Sequence, residues 1–136
     1  MTDWNAGVIE DFRANGGELT GEMAGAPIVL VHHTGAKSGR ERVAPLMYQQ
    51  LDGGSIAIFA SKAGAPEHPH WFANLRANPD TTIEIGDGTR AVHARVADPE
   101  ERDRIWAEQK RAWPQFAGYE EKAEGRKIPV VILEPR

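Results

Sequence analysis

The sequence predicts an α+β fold: an antiparallel barrel of about six short strands, Greek-key-like, with three to four helices packed outside it. Two observations carry that expectation. Six segments of strand length, near 27–31, 43–51, 55–60, 81–85, 90–96 and 128–133, are joined largely by glycine-bearing turns. The helical segments fall between them without a regular strand–helix–strand alternation, and no repeat or linker interrupts the chain, so 1–136 reads as one domain.

In order, Trp4, Val8, Ile9 and Phe12 recur with helical spacing and predict a helix over 4–14 that stops at Asn15-Gly16-Gly17. The rest of the first 25 residues reads as loop. Pro27 to Val31 is a continuous apolar strand, and Val43 to Leu51 a second. Asp52-Gly53-Gly54 is a hairpin signal leading into the third strand, Ser55 to Ala60. Gly64-Ala65-Pro66 opens a loop, and Pro69 starts a helix that Asn78-Pro79 stops. Thr81–Ile85 and Arg90–Val96 form a hairpin through Gly86-Asp87-Gly88. Asp98-Pro99-Glu100-Glu101 combines an N-cap, a first-turn proline and early acids, so a helix begins there and runs to about Trp113. A short helix over 115–123 and a last strand over 128–133 complete the chain.

Composition removes several function classes. The chain is acidic overall, at −4, which argues against a general affinity for nucleic acid. It has no cysteine, so neither disulfides nor thiol chemistry are available. No run reaches the ~18 apolar residues of a membrane span, and Met1-Thr-Asp-Trp-Asn5 lacks a secretory pattern. The expected location is the cytoplasm. Val8, Ile9 and Phe12 leave open whether the first helix covers the barrel, meets a second copy in a homodimer, or rests on a membrane surface.

Against that acidic background one cluster stands out. Lys37, Ser38, Gly39, Arg40 and Arg42 fall within six residues at the mouth of a hairpin. Glycine lets backbone amides approach a ligand, lysine and arginine add charge-assisted hydrogen bonds, and the combination suits a phosphate. A solvated turn is the plainer alternative. A second loop, Ala60-Ser61-Lys62-Ala63-Gly64-Ala65, again sets a hydroxyl and a lysine among small residues. The two loops predict one cleft with a cationic end and a flat slot lined by Pro45, Leu46, Met47 and Ala60.

Other chemistries find little support. A phosphate-binding Walker loop would need glycine where Ala36 and Val31 stand, and no dinucleotide fingerprint or serine-nucleophile elbow is present. His32 and His33 point to opposite faces of a strand, and His68 and His70 have no third ligand at recognisable spacing, so no metal is expected. Core packing accounts for one of Trp71 and Phe72 but hardly both. Asn74 shares the face of Trp71, which suggests a stacking surface with an amide beside it. Trp113, Phe116 and Tyr119 form a stripe that reads first as core and second as a ligand wall.

Thr34-Gly-Ala-Lys-Ser-Gly-Arg-Glu-Arg-Val-Ala-Pro-Leu-Met47, Ala60-Ser-Lys-Ala-Gly-Ala65, Pro69-His-Trp71, Asn74-Leu-Arg-Ala-Asn-Pro79 and Ile128-Pro-Val-Val-Ile-Leu-Glu-Pro135 occur in consistent order. Together they resemble the deazaflavin-dependent nitroreductase family, whose members are split β-barrels using the reduced 8-hydroxy-5-deazaflavin coenzyme F-420. The resemblance implies that Lys37, Ser38, Gly39 and Arg42 hold the coenzyme's phosphate and acidic tail. It implies that Pro45, Leu46 and Met47 lie along the ring, that Ala60, Ser61, Lys62, Gly64 and Ala65 grip phosphate and ring edge, and that Trp71 and Asn74 stand near the cofactor. Two departures stand out: Ala36 replaces an arginine, and Trp113, Phe116 and Tyr119 keep one phenol where a nitro-drug reducer of the family carries several tyrosines. Met47 also stands where that member has a tyrosine, which argues against bulky nitroimidazoles.

The resulting expectation is an oxidoreductase that transfers a hydride from the reduced coenzyme to a quinone, enone or nitro acceptor. Met47, Trp113, Phe116 and Tyr119 line the acceptor, and Tyr119 or Ser61 donates to the developing oxyanion. A flavin mononucleotide (FMN) oxidase and a non-catalytic lipid or cofactor carrier are the alternatives on the same fold.

Overall fold

The computed structural model describes residues 3–21, 24–64, 68–86, 88–123 and 127–136. Ala65, Pro66, Asp87 and the side chains of Trp4 and Ala63 lie outside the described residues. Four helices, α1 (Asp3–Ala14), α2 (His70–Ala77), α3 (Pro99–Ala112) and α4 (Gln115–Lys122), accompany six strands. The strands are β1 (Ile28–Thr34), β2 (Glu41–Gln50), β3 (Ile56–Phe59), β4 (Asp80–Ile85), β5 (Gly88–Val96) and β6 (Val130–Pro135). They close into one antiparallel barrel in the order β1-β2-β3-β6-β5-β4, so that β4 returns to lie beside β1 as in a Greek key.

Three apolar clusters follow from the period-2 alternation of the strands. The inward residues Val29, Val31, Ala44, Ile56, Ile58, Ile83, Val92, Val131 and Leu133 fill the barrel. On the outside of β3 and β6, Ala57, Phe59, Val130 and Ile132 receive Ile105 and Trp106 of α3 and Phe116 of α4. On the outside of β1, Ile28 and Leu30 receive Val8 and Phe12 of α1, so the apolar face of the first helix covers the barrel. The end of α1 is latched to β4 by Arg13, whose Nη2 lies 2.6 Å from Glu84 Oε2. His32 Nε2 meets the same oxygen at 2.8 Å, and the guanidinium holds the Glu84 carboxyl below its ordinary range.

Strand ends differ from expectation chiefly at the cationic hairpin. β1 continues three residues past Val31 through both histidines, and β2 begins at Glu41, so the turn between them is short. β6 begins two residues later than expected and ends on Pro135. Trp71 and Phe72 correct the sequence reading: both are only 6% exposed. Helix α2 plugs the barrel, with Trp71, Phe72 and Leu75 in the same cluster as the inward strand residues, so it is buried on adjoining sides rather than along one stripe.

Candidate functional site

The site exists because the barrel is split. β2 and β3 pair only through Tyr48↔Ile58, Gln49↔Ala57 and Gln50↔Ile56. Continued one ladder step at a time, the register would join Met47 to Phe59 and Pro45 to Ser61, but the strands have parted there. On its other side β3 stays paired with β6, the Ala60 N–H donating to the carbonyl of Pro129 at 3.0 Å. Pro45 has no N–H to contribute to a β2–β3 ladder, which is why a proline is tolerated in mid-strand at this edge. Tyr48 N–H donates to Pro27, toward β1. The alternation of an antiparallel ladder therefore turns the N–H and C=O of Met47 and the C=O of Pro45 the other way, toward the parting.

A cleft of about 470 Å³ opens in this gap. Pro45, Leu46 and Met47 form one wall, Phe59, Ser61 and Lys62 the other, and Trp71, Phe116 and Tyr119 close it. That size matches small-molecule sites, as does an apolar lining with a few polar groups. Lys62 is held at φ 47°, the only described non-glycine residue with positive φ, and strained backbone of this kind concentrates at functional loops. Gly64 (φ 85°) makes the loop's close approach to α4 possible: a Cβ there would lie 2.7 Å from Lys122 Cβ and 2.8 Å from the carbonyl oxygen of Tyr119. Phe116 is buried in an aromatic group with Phe59 and Trp106, and Tyr119 packs edge-on against it with ring centroids 5.0 Å apart.

Beside the cleft stands the cationic hairpin. The turn over 35–40 is closed by Gly35 N–H to Arg40 C=O (2.9 Å) and Gly39 N–H to Gly35 C=O (3.0 Å), with Gly39 in the left-handed region at φ 71°. Ser38 folds back over Gly35, where a Cβ would meet its Oγ at 2.4 Å, and accepts the Arg40 N–H at 3.2 Å. The backbone amides of Lys37 and Ser38 have no hydrogen-bond partner, and Lys37, Arg40 and Arg42 no ion-pair partner, among the described residues. By contrast Arg13, Arg95, Arg102 and Arg111 each hold a carboxylate. Unpaired cations around free amides are chemically fitted to an anion.

Several expected residues stand elsewhere. Asn74, foreseen beside the cofactor, is 8% exposed and faces inward. Its Oδ1 accepts the Ala36 N–H at 2.9 Å and its Nδ2 donates to His33 Nδ1 at 2.9 Å, so it braces the hairpin turn. Ala60 is wholly buried within the barrel rather than along the slot. Trp113 packs at the edge of the α3–α4 cluster and is not a lining residue of the cleft, in contrast to the acceptor wall expected of it. Gly64 acts against α4 rather than in the lining, and Ala65 lies outside the described residues. Sequence reasoning missed Asn5 and Gln115, polar groups that line the cleft from α1 and α4, and it missed His33. For His33 a signal existed: Val29, Val31 and His33 share one strand parity, which points its ring inward. Burial, then Arg42 and His32, push its imidazole below the ordinary 6.5.

The comparisons with known proteins meet this geometry. The family model described as "F420H(2)-dependent quinone reductase" matches residues 6–135. The chain belongs to the F420H(2)-dependent quinone reductase family. A relative of that name from Mycobacterium tuberculosis is 36% identical over 130 residues, covering 92% of this chain and 85% of its own. The solved structure titled F420-H2 Dependent Reductase (FDR-A) is 43% identical with a TM-score of 0.71, over 79% of this chain and 94% of that one. Another solved structure, titled a domain-swapped dimer, is 38% identical with a TM-score of 0.72 and covers 98% of both chains. Membership of the F420H(2)-dependent quinone reductase family makes the protein an oxidoreductase that uses the deazaflavin coenzyme F-420. The split barrel with peripheral helices agrees with the fold expected from sequence. Among the described residues no helix is long and apolar enough to cross a membrane.

Proposed function

We propose that the protein reduces a quinone with the hydride of the reduced deazaflavin coenzyme, bound across the cleft from the cationic hairpin to the Ser61–Lys62 loop. The observation that carries this reading is the juxtaposition of an unpaired cationic turn with the open β2 edge. The free Lys37 and Ser38 amides, Lys37, Arg42 and Lys62 would hold the phosphate and acidic tail. The outward N–H and C=O of Met47 and the C=O of Pro45 would meet the polar edge of a flat ring, with Leu46 and Trp71 as apolar contacts. When bound, the coenzyme supplies the hydride, so the difficult chemistry is its own.

The protein's share is orientation and charge. Met47, Phe116 and Tyr119 shape an apolar slot that would hold a planar acceptor against the exposed ring face, and fixed geometry of this kind removes much of the entropic barrier. Hydride addition leaves negative charge on the acceptor oxygen. The Tyr119 hydroxyl, or Ser61 from the opposite wall, donates a hydrogen bond and then a proton to it. Enones and nitro compounds make the same demand, and a single phenol in the wall favours compact acceptors over bulky nitroimidazoles.

The test is a titration of the purified protein with the deazaflavin coenzyme, with FMN and with a fatty acid, followed by turnover of a panel of quinones, enones and nitroaromatics. Tight binding of the deazaflavin with quinone turnover is the expected result. Preference for FMN, or fatty-acid binding without turnover, would replace this reading with one of the alternatives.

A further inference from the structure

We infer that His33 is a positioning residue for the cationic hairpin, and that it ties the affinity for the anionic coenzyme to pH through Asn74. The inference rests on the reading of the hairpin as the coenzyme's phosphate site. Its geometry admits one proton arrangement. Ala36 N–H can only donate, so the atom of Asn74 that faces it is Oδ1. The other end of the same planar amide is then Nδ2, also a donor, and it faces His33 Nδ1 at 2.9 Å. His33 Nδ1 must therefore present a lone pair, which places the ring proton on Nε2 and keeps the imidazole neutral.

Protonation destroys this arrangement. A proton on Nδ1 would oppose the Asn74 NH2, donor to donor. Turning the amide over restores that contact only by aiming the NH2 at the Ala36 N–H, which leaves the same conflict at the turn. With His33 and Asn74 only 5% and 8% exposed, the amide has little water to turn to. The turn loses its brace next to Lys37 and Ser38, whose amides are the free donors.

The surroundings set the direction of titration. From β2, Arg42 is the direct cross-strand partner of His33. On β1 itself His32 faces the other way, toward Glu84 of β4 and Glu41 of β2. From α2 the neutral Asn74 makes the contact, while His70 and Arg76 are exposed. No carboxylate is hydrogen-bonded to His33 among the described residues, so nothing stabilises the charged ring and its protonation is deferred to pH below 6.5. A simple charge effect has the opposite sign, because a positive ring beside an anion site would strengthen binding as pH falls.

The experiment compares wild type with H33N and H33F. Asparagine places an acceptor oxygen where Nδ1 stands but does not titrate, whereas phenylalanine keeps the bulk and has no acceptor. Coenzyme affinity is measured by titration from pH 5 to 8. The coenzyme's own ionisation is common to all three proteins and cancels in the ratio. Expected is a wild-type affinity that falls about tenfold relative to H33N on the acid side, with near equality at pH 8, and an H33F affinity about tenfold weak throughout. In parallel, the Ala36 amide resonance of the coenzyme-free protein is followed by NMR. It should shift and lose exchange protection in step with the His33 titration, and remain pH-independent in H33N. A constant wild-type to H33N ratio, tighter binding at acid pH, or an Ala36 amide indifferent to His33 would each overturn the inference. Failure of wild type to bind the coenzyme at pH 8 would instead remove the proposed function, and the NMR titration would still decide the relay.

Discussion

Replacing Gly64 by alanine separates backbone strain from contact at the wall of the cleft. The residue sits at φ 85°, and a Cβ would approach Lys122 Cβ to 2.7 Å and the Tyr119 carbonyl oxygen to 2.8 Å. The left-handed conformation alone costs an alanine about 1–2 kcal/mol, offset by about 0.4–1 kcal/mol from the stiffer unfolded chain. Overlap with backbone is not relieved by a rotamer change, and overpacking of this kind adds about 1–3 kcal/mol. Gly53 is the internal control, since it has φ 72° but nothing within 4 Å of the added Cβ. G53A should therefore cost about 1 kcal/mol or less and G64A about 2–4 kcal/mol. For a chain of this size, roughly 3–4 °C of melting temperature correspond to each kcal/mol, so the two variants should melt about 3–12 °C apart. Because Gly64 presses on α4 at Tyr119, G64A should also lower quinone turnover while G53A leaves it unchanged. Thermal melts and steady-state kinetics on both variants suffice. Equal melting temperatures with equal turnover would show that the loop and α4 do not bear on each other.

Three further outcomes follow from the same geometry. K37A and R42A should each weaken coenzyme affinity by about 10- to 100-fold, the range for one charge-assisted contact to phosphate, and the effect should shrink at high salt; calorimetric titration reads it directly. Y119F should lower the turnover number by at least about tenfold with coenzyme affinity unchanged, and an equal rate would transfer the proton-donor role to Ser61. E84Q should destabilise the fold by about 1–2 kcal/mol at pH 7, a discounted figure because Arg13 is half exposed. Since Arg13 depresses the Glu84 carboxyl, the stabilisation is full above 4.5 and disappears as pH falls through the lowered value. Melts of wild type and E84Q should therefore converge in acid.

Much of the barrel was legible because its signals are local. Ile56 to Ala60 is apolar whatever surrounds it, Gly53 and Gly86 permit turns by lacking a side chain, and the Asp98–Glu101 pair caps α3 as expected, with Glu101 reaching back to the Asp98 N–H at 3.3 Å. The cationic turn was legible for the same reason, as six consecutive residues held together by their own hydrogen bonds. Asn74 was not. Helical spacing placed it on the face of Trp71, but which face of α2 enters the barrel depends on β1 and β5, distant in sequence, and that turned the amide inward to His33 and the Ala36 N–H. The same holds for Trp113, which the packing of α3 against α4 set outside the cleft.

By itself, then, the amino-acid order determined the class of fold and the cationic hairpin, since each is written in neighbouring residues, while the coenzyme followed from the family resemblance of several motifs in consistent order. Tertiary structure alone decided where β2 and β3 part, which backbone groups that parting bares, and which side chains meet across it. Those depend on pairing over long separations, where the free energy of a single residue's preference is small beside that of the whole closed barrel.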